Sequence, residues 1–266
     1  MNVYAVSDLH MGDTGPRDNF AFGDHEKDFL AFLDMVDDND GQLVICGDLF
    51  ELWQSNVSKV LTKRVYLLDR LARMRTVYVL GNHDADLRYF MESSYNPGMQ
   101  LTHPFFYRMC DAFTLRRAGK QFHFTHGHLA DRYCSSETPG LGRITAIYSG
   151  LAEDRNGSPM LNKYQTVEDK VVGRLARLVS LWNRLRGKPT RAVEINRKLK
   201  TWADYEHSVI ICGHTHAPGH IGDWLYNTGT WAERTNSFVQ VNDDGIVGVF
   251  NWVKQQAVSN LTELPI

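Results

Sequence analysis

The sequence has little that would build a secreted or membrane-spanning protein. Its 266 residues hold four cysteines, Cys46, Cys110, Cys134 and Cys212, with no C-x-x-C pair. A disulfide framework is therefore not expected, and a reducing compartment is. No apolar run approaches the roughly 18 residues that a spanning helix needs. The opening stretch, MNVYAVSDLH, lacks a basic segment followed by a long apolar one, so no signal peptide is expected. Internal repeats and low-complexity segments are absent. The net charge is −2, which gives no general case for nucleic-acid binding. These absences point to a cytoplasmic globular protein, with peripheral contact at the inner membrane face left open.

What is present is an ordinary core. The chain is 43% hydrophobic and 23% charged, enough for a substantial buried interior. Residues 2 to 7 read as a buried strand. Residues 24 to 37 place Phe29, Phe32, Leu33 and Val36 on one helical face. QLVICGD reads as a second strand. Residues 57 to 75 repeat the helical spacing with Val60, Leu61, Tyr66, Leu67 and Leu71. TVYVLGNHD is a third strand. Strand, helix, strand, helix, strand predicts a layered α/β fold. From about residue 100, strands are expected around the turn at Ala118-Gly119-Lys120, and a β run follows residue 208. The clearest turn of that run is Asn242-Asp243-Asp244-Gly245.

Residues 135–206 differ in character. Thr166 and Asp169 resemble a capping box. Val167, Val171, Leu175, Leu178, Trp182 and Leu185 form one apolar stripe, and a second helix is expected over 190–204. From Lys163 to Lys200 there are 11 Lys and Arg against three Asp and Glu. This basic segment suits either an anionic partner or a solvated helix packed on the body. The expected organisation is one domain, 1–134 and 207–266, interrupted by a helical cap at 135–206.

Chemistry-bearing residues follow the predicted strands. The first strand ends in Asp8-Leu9-His10, the second in Gly47-Asp48, and the third in Gly81-Asn82-His83-Asp84. The stretch QFHFT leads into His126-Gly127-His128, and VIIC into Gly213-His214-Thr215-His216. Ligands of open α/β sheets bind at such strand ends. Asp, Asn and His together suit Mn²⁺, Fe or Zn²⁺ better than an all-oxygen Ca²⁺ site. Seven candidate ligands exceed the needs of one tetrahedral ion, whereas two ions sharing a carboxylate would use them all. The glycine before each motif is expected to let the backbone turn sharply.

In order and spacing these motifs resemble the calcineurin-like metallophosphoesterase family. The resemblance implies a four-layer αββα sandwich and two divalent ions, with Mn²⁺ the leading choice. It implies Asp8, His10 and His216 on the first ion, and Asn82, His126 and His214 on the second. Asp48 and a hydroxide would bridge the two. His83 would stabilise charge over the substrate and protonate the leaving oxygen, with Asp84 orienting it. His126 ends its strand and is taken as the ligand; His128 would face substrate or stand behind, with ligation as its alternative role. Arg88 is a phosphate-binding candidate, and Trp53 and Asn56 are candidates for the pocket rim.

The stretch GDLFELW resembles the UDP-2,3-diacylglucosamine pyrophosphatase subgroup. Two positions depart from it, since many of its members have Arg where this chain has His83 and Asp where it has His128. The expected partner is a phosphoester, with a nucleotide-linked lipid as the specific alternative. A nuclease and a non-catalytic scaffold of the same fold are minor alternatives. Nucleic acid is not favoured as a partner, and the oligomeric state is left open.

Overall fold

Alternation along the strands builds the molecule. In strand β1 (Val3–Val6), Val3 and Ala5 enter one apolar cluster while Tyr4 and Val6 enter another. Strand β2 (Gln42–Cys46) divides in the same way, with Val44 and Cys46 on one side and Leu43 and Ile45 on the other. Successive side chains point to opposite faces, so a strand apolar at every position must be covered on both. The computed structural model describes residues 1–15, 18, 20–21, 24–90, 103–132, 134, 189–233 and 236–266.

Two sheets result. The larger contains β1 and β2 together with β3 (Val77–Val79), β4 (Met109–Cys110), β10 (Asn236–Val241), β11 (Val247–Val253) and β12 (Gln256–Ser259). Its order is β12-β11-β10-β1-β2-β3-β4, with β1 to β4 parallel. The smaller contains β5 (Phe113–Arg117), β6 (Lys120–Phe124), β7 (Ser208–Cys212), β8 (Gly219–Ile221) and β9 (Leu225–Asn227), in the order β5-β6-β7-β9-β8. Phe122, Phe124 and Ile211 from the smaller sheet meet Val3, Ala5, Val44 and Val239 from the larger one.

Helices cover the outer faces. Helix α1 (His25–Asp38) buries Phe29, Phe32, Leu33 and Val36 against the larger sheet, as its spacing predicts. Helix α4 (Arg191–Glu206) buries Ile195, Leu199 and Ala203 against Ile210 and Cys212 of β7. The layers are therefore helix, sheet, sheet, helix, as expected for an α/β sandwich of this kind. Helix α4 also matches the helix expected over 190–204. The capping box and the apolar stripe at 166–185 lie outside the described residues.

The helix expected over 57–75 is broken. Helix α2 (Val57–Lys63) and helix α3 (Val65–Arg73) meet at Arg64. Its guanidinium is buried and pairs with Asp18 at 2.5 Å and Glu26 at 2.6 Å. A buried charge must be paired, and the chain bends to bring it to its partners. Past the break Tyr66 is exposed, and Leu68 joins Leu67 and Leu71 in the core. Arg117, beside the turn at Ala118-Gly119-Lys120, donates to the Met1 carbonyl oxygen at 2.6 Å. No helix among the described residues is long and apolar enough to cross a membrane.

Candidate metal centre

The ends of β1, β2, β6 and β7, with the loop after β3, converge on one buried cluster. Backbone bonds hold the first two loops together: Asp8 N donates to Gly47 O at 3.1 Å and His10 N to Asp48 O at 3.0 Å. Asp8, His10, Asp48, His214 and His216 all have positive φ, between 47° and 70°. Non-glycine residues avoid this region, and when held in it they gather at functional sites.

The preceding glycines act differently from expectation. Gly47 does turn in the left-handed region, at φ 88°, and a Cβ there would also sit 2.5 Å from the His126 ring. Gly81 and Gly213 lack a positive φ. They are needed for clearance instead, because a Cβ would collide with Asp48 in the first case and with Ser7 and Asp8 in the second.

The imidazoles share a pattern. The His10 Nδ1 faces Glu51 at 3.1 Å, and its Nε2 points between Asp8 at 3.7 Å and Asp48 at 3.8 Å. The His126 Nδ1 lies 2.9 Å from the Cys46 carbonyl, and its Nε2 is 3.1 Å from both Asp48 Oδ2 and Asn82 Oδ1. The His216 Nδ1 meets Glu233 at 2.8 Å, and its Nε2 meets Asp8 Oδ1 at 3.1 Å. In each ring one nitrogen is held while the other faces carboxylate, the arrangement that prepares histidine for a metal. Asp8 Oδ1 and His10 Nε2 are buried, and although imidazole and carboxylate groups lie nearby, neither atom is in a well-aligned hydrogen bond. A cation between them would satisfy both, so the residues present fit the expected divalent ions.

Four donor groups are compact among the described residues: Asp8 with His10 and His216, Asp8 with Asp48 and His126, His10 with Asp48 and His83, and Asp131 with Cys134 and His214. His214 stands apart. Its ring lies 5.1 Å from that of His126, but its Nε2 is 2.9 Å from Asp131.

Charge is strongly coupled. Burial works against ionisation of Asp48, yet His126 and His83 hold its carboxyl well below the usual range. Burial likewise opposes protonation of His126, but Asp48 and Asp8 raise it to about 9. His10 and His216 are also raised against burial, chiefly by the nearby Asp8 carboxylate.

His83 is stacked on Trp53, with centroids 3.7 Å apart, and its ring lies edge-on to that of His10. Its backbone N–H donates to Asp48 Oδ1 at 2.8 Å. The carboxylate at its Nδ1, 2.7 Å away, belongs to Glu51. Asp84 does not orient it. Asp84 accepts from Tyr78 Oη at 2.5 Å, Gly81 N at 2.6 Å and Leu49 N at 2.8 Å, so it clamps the loops after β2 and β3. Burial and then Asp48 push its carboxyl up to about 6.

The other candidates divide. His128 is buried, and burial followed by His126 lowers its imidazole to about 3, leaving it neutral. Arg88 donates to Asp111 at 2.7 Å and 3.0 Å on the surface, so its guanidinium is already engaged. Asn56 caps α2 by accepting from Ser58 N, while Trp53 does border the site. Glu51, Asp131 and Glu233 were not singled out from the sequence. Only Glu51 left a signal, lying inside GDLFELW three residues after Asp48.

A family model described as calcineurin-like phosphoesterase matches residues 1–218. No curated protein matches. Among solved structures, a Thermotoga maritima protein determined by solution NMR is 15% identical over 99% of each chain, with a TM-score of 0.33. So slight a likeness carries no argument about fold or function.

Proposed function

The chain belongs to the calcineurin-like phosphoesterase family, and from that premise we propose that it hydrolyses a phosphodiester or pyrophosphate bond with two divalent ions. In this reading Asp8, His10 and His216 hold one ion, Asn82, His126 and His214 the other, and Asp48 both. Mn²⁺ is the proposed ion, with Fe or Zn²⁺ as alternatives suited to the same donors. When bound, such a pair supplies an acidified water and neutralises the charge that develops on phosphoryl oxygens. The observation that carries the reading is the buried pair Asp8 Oδ1 and His10 Nε2, neither in a well-aligned hydrogen bond, inside a cluster of further donors.

The chain's own groups supply the rest. Asp8 and Asp48 supply two buried negative charges to the site. The Asp48 carboxylate also accepts the His83 N–H and so holds the loop after β3 in place. Glu51, facing the His83 Nδ1, helps to orient the ring, so that Nε2 is the nitrogen proposed to deliver a proton to the leaving oxygen. General-acid transfer of this kind contributes about 10²–10⁴ in rate. Trp53 excludes water from one face of that ring. His128, kept neutral, adds no charge beside the incoming phosphoryl group.

A second, narrower reading is a UDP-2,3-diacylglucosamine pyrophosphatase. It is favoured by GDLFELW, which supplies Asp48, Glu51 and Trp53. Of the segment 135–206, the part before α4 would then be an acyl-binding cap, since α4 itself covers the smaller sheet. Cytoplasmic placement belongs to the same proposal and rests on the four free cysteines. The test is hydrolysis by Mn²⁺-reconstituted protein of UDP-2,3-diacylglucosamine beside a simple aryl phosphodiester. Selective cleavage of the lipid establishes the narrower reading. Cleavage of the diester alone leaves a general phosphodiesterase. No cleavage by a protein that takes up no divalent ion would indicate a scaffold, and salt-sensitive cleavage of nucleic acid a nuclease.

A further inference from the structure

Four imidazoles serve the candidate centre, and one of them is reversed. His10, His126 and His216 are held at Nδ1 and face the carboxylates with Nε2. His214 is held at Nε2, by Asp131 at 2.9 Å. The ring atom left for an ion is therefore Nδ1. A neutral imidazole carries its proton on one nitrogen, and the partner of that nitrogen decides which.

Asp131 is itself held. It follows the short helical turn His128–Ala130 at the end of β6 and is almost fully buried. Arg191, the first residue of α4, donates to its Oδ2 from Nε at 2.7 Å and also from Nη2. The same Nη2 reaches Cys134 Sγ at 3.5 Å. Asp131, Cys134 and His214 lie close enough together to hold a metal. The guanidinium bonded to two of those three already supplies the positive charge there, so the cluster reads as a support and not as a third ion site.

The support spans the fold. Asp131 stands just before the segment 135–188 and Arg191 just after it, 60 residues apart in sequence. The apolar face of α4 packs on Ile210 and Cys212, directly before Gly213 and His214. The ion pair and the packing thus fix the same strand end from two sides.

We propose that Asp131 and Arg191 are positioning residues for His214: Asp131 holds it as the Nε2–H tautomer with Nδ1 presented to the second ion, and Arg191 holds Asp131. This rests on the reading above that His214 is a ligand. A supporting carboxylate of this type is worth about 10–100-fold in metal affinity.

The experiment uses the full chain, stripped of metal, in two measurements. The first is calorimetric titration with Mn²⁺ of the parent protein and of Asp131→Asn, Asp131→Ala, Arg191→Lys and Arg191→Ala. The parent should bind two ions. Asp131→Ala should weaken the second step by about 10–100-fold and leave the first within about threefold. Asp131→Asn keeps an acceptor for Nε2–H and should fall between. Arg191→Lys should recover part of what Arg191→Ala loses, since charge survives but the two-pronged geometry does not.

The second measurement is ¹⁵N NMR of the metal-free imidazoles, with His214 assigned by its loss in His214→Ala. His214 should show Nε2–H in the parent protein and a tautomer mixture in Asp131→Ala. An unchanged second step in Asp131→Ala and Asp131→Asn would overturn the inference, as would Nδ1–H on His214 in the parent. A parent that takes up no ion sinks the metal reading instead, and the tautomer result then decides the positioning role alone. Asp131→Asn keeps the test open if Asp131→Ala does not fold.

Discussion

His10 and His216 stand on the open side of the site, with 13% and 31% of their side chains exposed, whereas His126 and His214 are 0% and 7% exposed. Their supports differ in the same sense. The open pair leans on the side chains of Glu51 and Glu233. The closed pair leans on a backbone carbonyl, that of Cys46, and on buried Asp131. Water can replace a lost support on the open side but not on the closed one, where an unpaired polar atom keeps its full desolvation cost. The closed half is therefore the rigid reference of the site, and the open half is where a phosphoester can approach.

Asp48 joins the halves, lying 3.1 Å from His126 Nε2 and 3.8 Å from His10 Nε2. Asp48→Ala should have the largest effect. Both ion-binding steps should weaken together, and hydrolysis should fall more than about 10⁴-fold, as when a unit of interdependent catalytic groups is broken. A loss confined to one ion, seen by titration with Mn²⁺, would show that the halves are independent.

His83 belongs to the open half by its contacts with His10, Trp53 and Glu51, but it is assigned no ion. His83→Gln should lower turnover about 10²- to 10³-fold for esters with poor leaving groups and leave both ion-binding steps in place. With a nitrophenol leaving group, which needs little protonation, the loss should shrink. Equal losses for both leaving groups would remove His83 from the role of general acid, and loss of ions would make it a ligand.

Much of this was legible in the sequence, for a physical reason. A metal site at strand ends needs donors at fixed offsets from buried strands, and both the strands and the donors are local patterns. The alternating cores of β1 and β2, the face of α1 and the convergence of Asp8, Asp48 and His126 follow from such patterns. Most of the misreadings involve partners that the local pattern does not mark. Arg64 breaks a helical period because Asp18 and Glu26 wait elsewhere. Asp84, adjacent to His83, turns away to clamp Tyr78 and Leu49. Arg88 meets Asp111 before it can meet a phosphate. Asp131 and Glu233 support histidines 83 and 17 residues away, and no local pattern marks such a pair.

Glu51 is the buried support of the open half, with 13% of its side chain exposed. Burial would raise its carboxyl, but His10 and His83 hold it down at about 2. It touches one proposed ligand and the proposed acid, so Glu51→Gln should act on both. We expect the first ion to bind about 10-fold or more weakly, with a further fall in turnover at saturating Mn²⁺. An effect on affinity alone would separate Glu51 from His83.

Ion uptake should also depend on pH in a way that weights the two halves. In the metal-free protein His126 is held at about 9, and His10 and His216 are raised. All three must lose a proton to ligate through Nε2. Uptake at pH 7 should therefore release protons, and affinity should rise up to about tenfold per pH unit for each proton released. The sign for stability is opposite. A histidine raised from 6.5 to about 9 stabilises the metal-free fold fully below 6.5, and that contribution disappears as pH climbs through 9. Metal-free protein should lose melting temperature between pH 6.5 and 9, while loaded protein should not. Calorimetric heats in buffers of different ionisation enthalpy count the protons.

The smallest effect should come from Glu233. It meets His216 at 2.8 Å, as close as the other supports meet their rings, but 60% of its side chain is exposed. Exposed ion pairs are screened and worth about 0–1 kcal/mol, and water can take the place of the lost oxygen at Nδ1. Glu233→Gln should therefore change first-ion affinity by less than about threefold, against the tenfold or more expected for Glu51→Gln. The two variants remove the same charge from two histidines of the same proposed ion, so their ratio isolates burial from chemistry. Equal losses would mean that contact distance alone sets the strength of a supporting carboxylate, and the contrast between an open, repairable side and a closed, rigid one would fail.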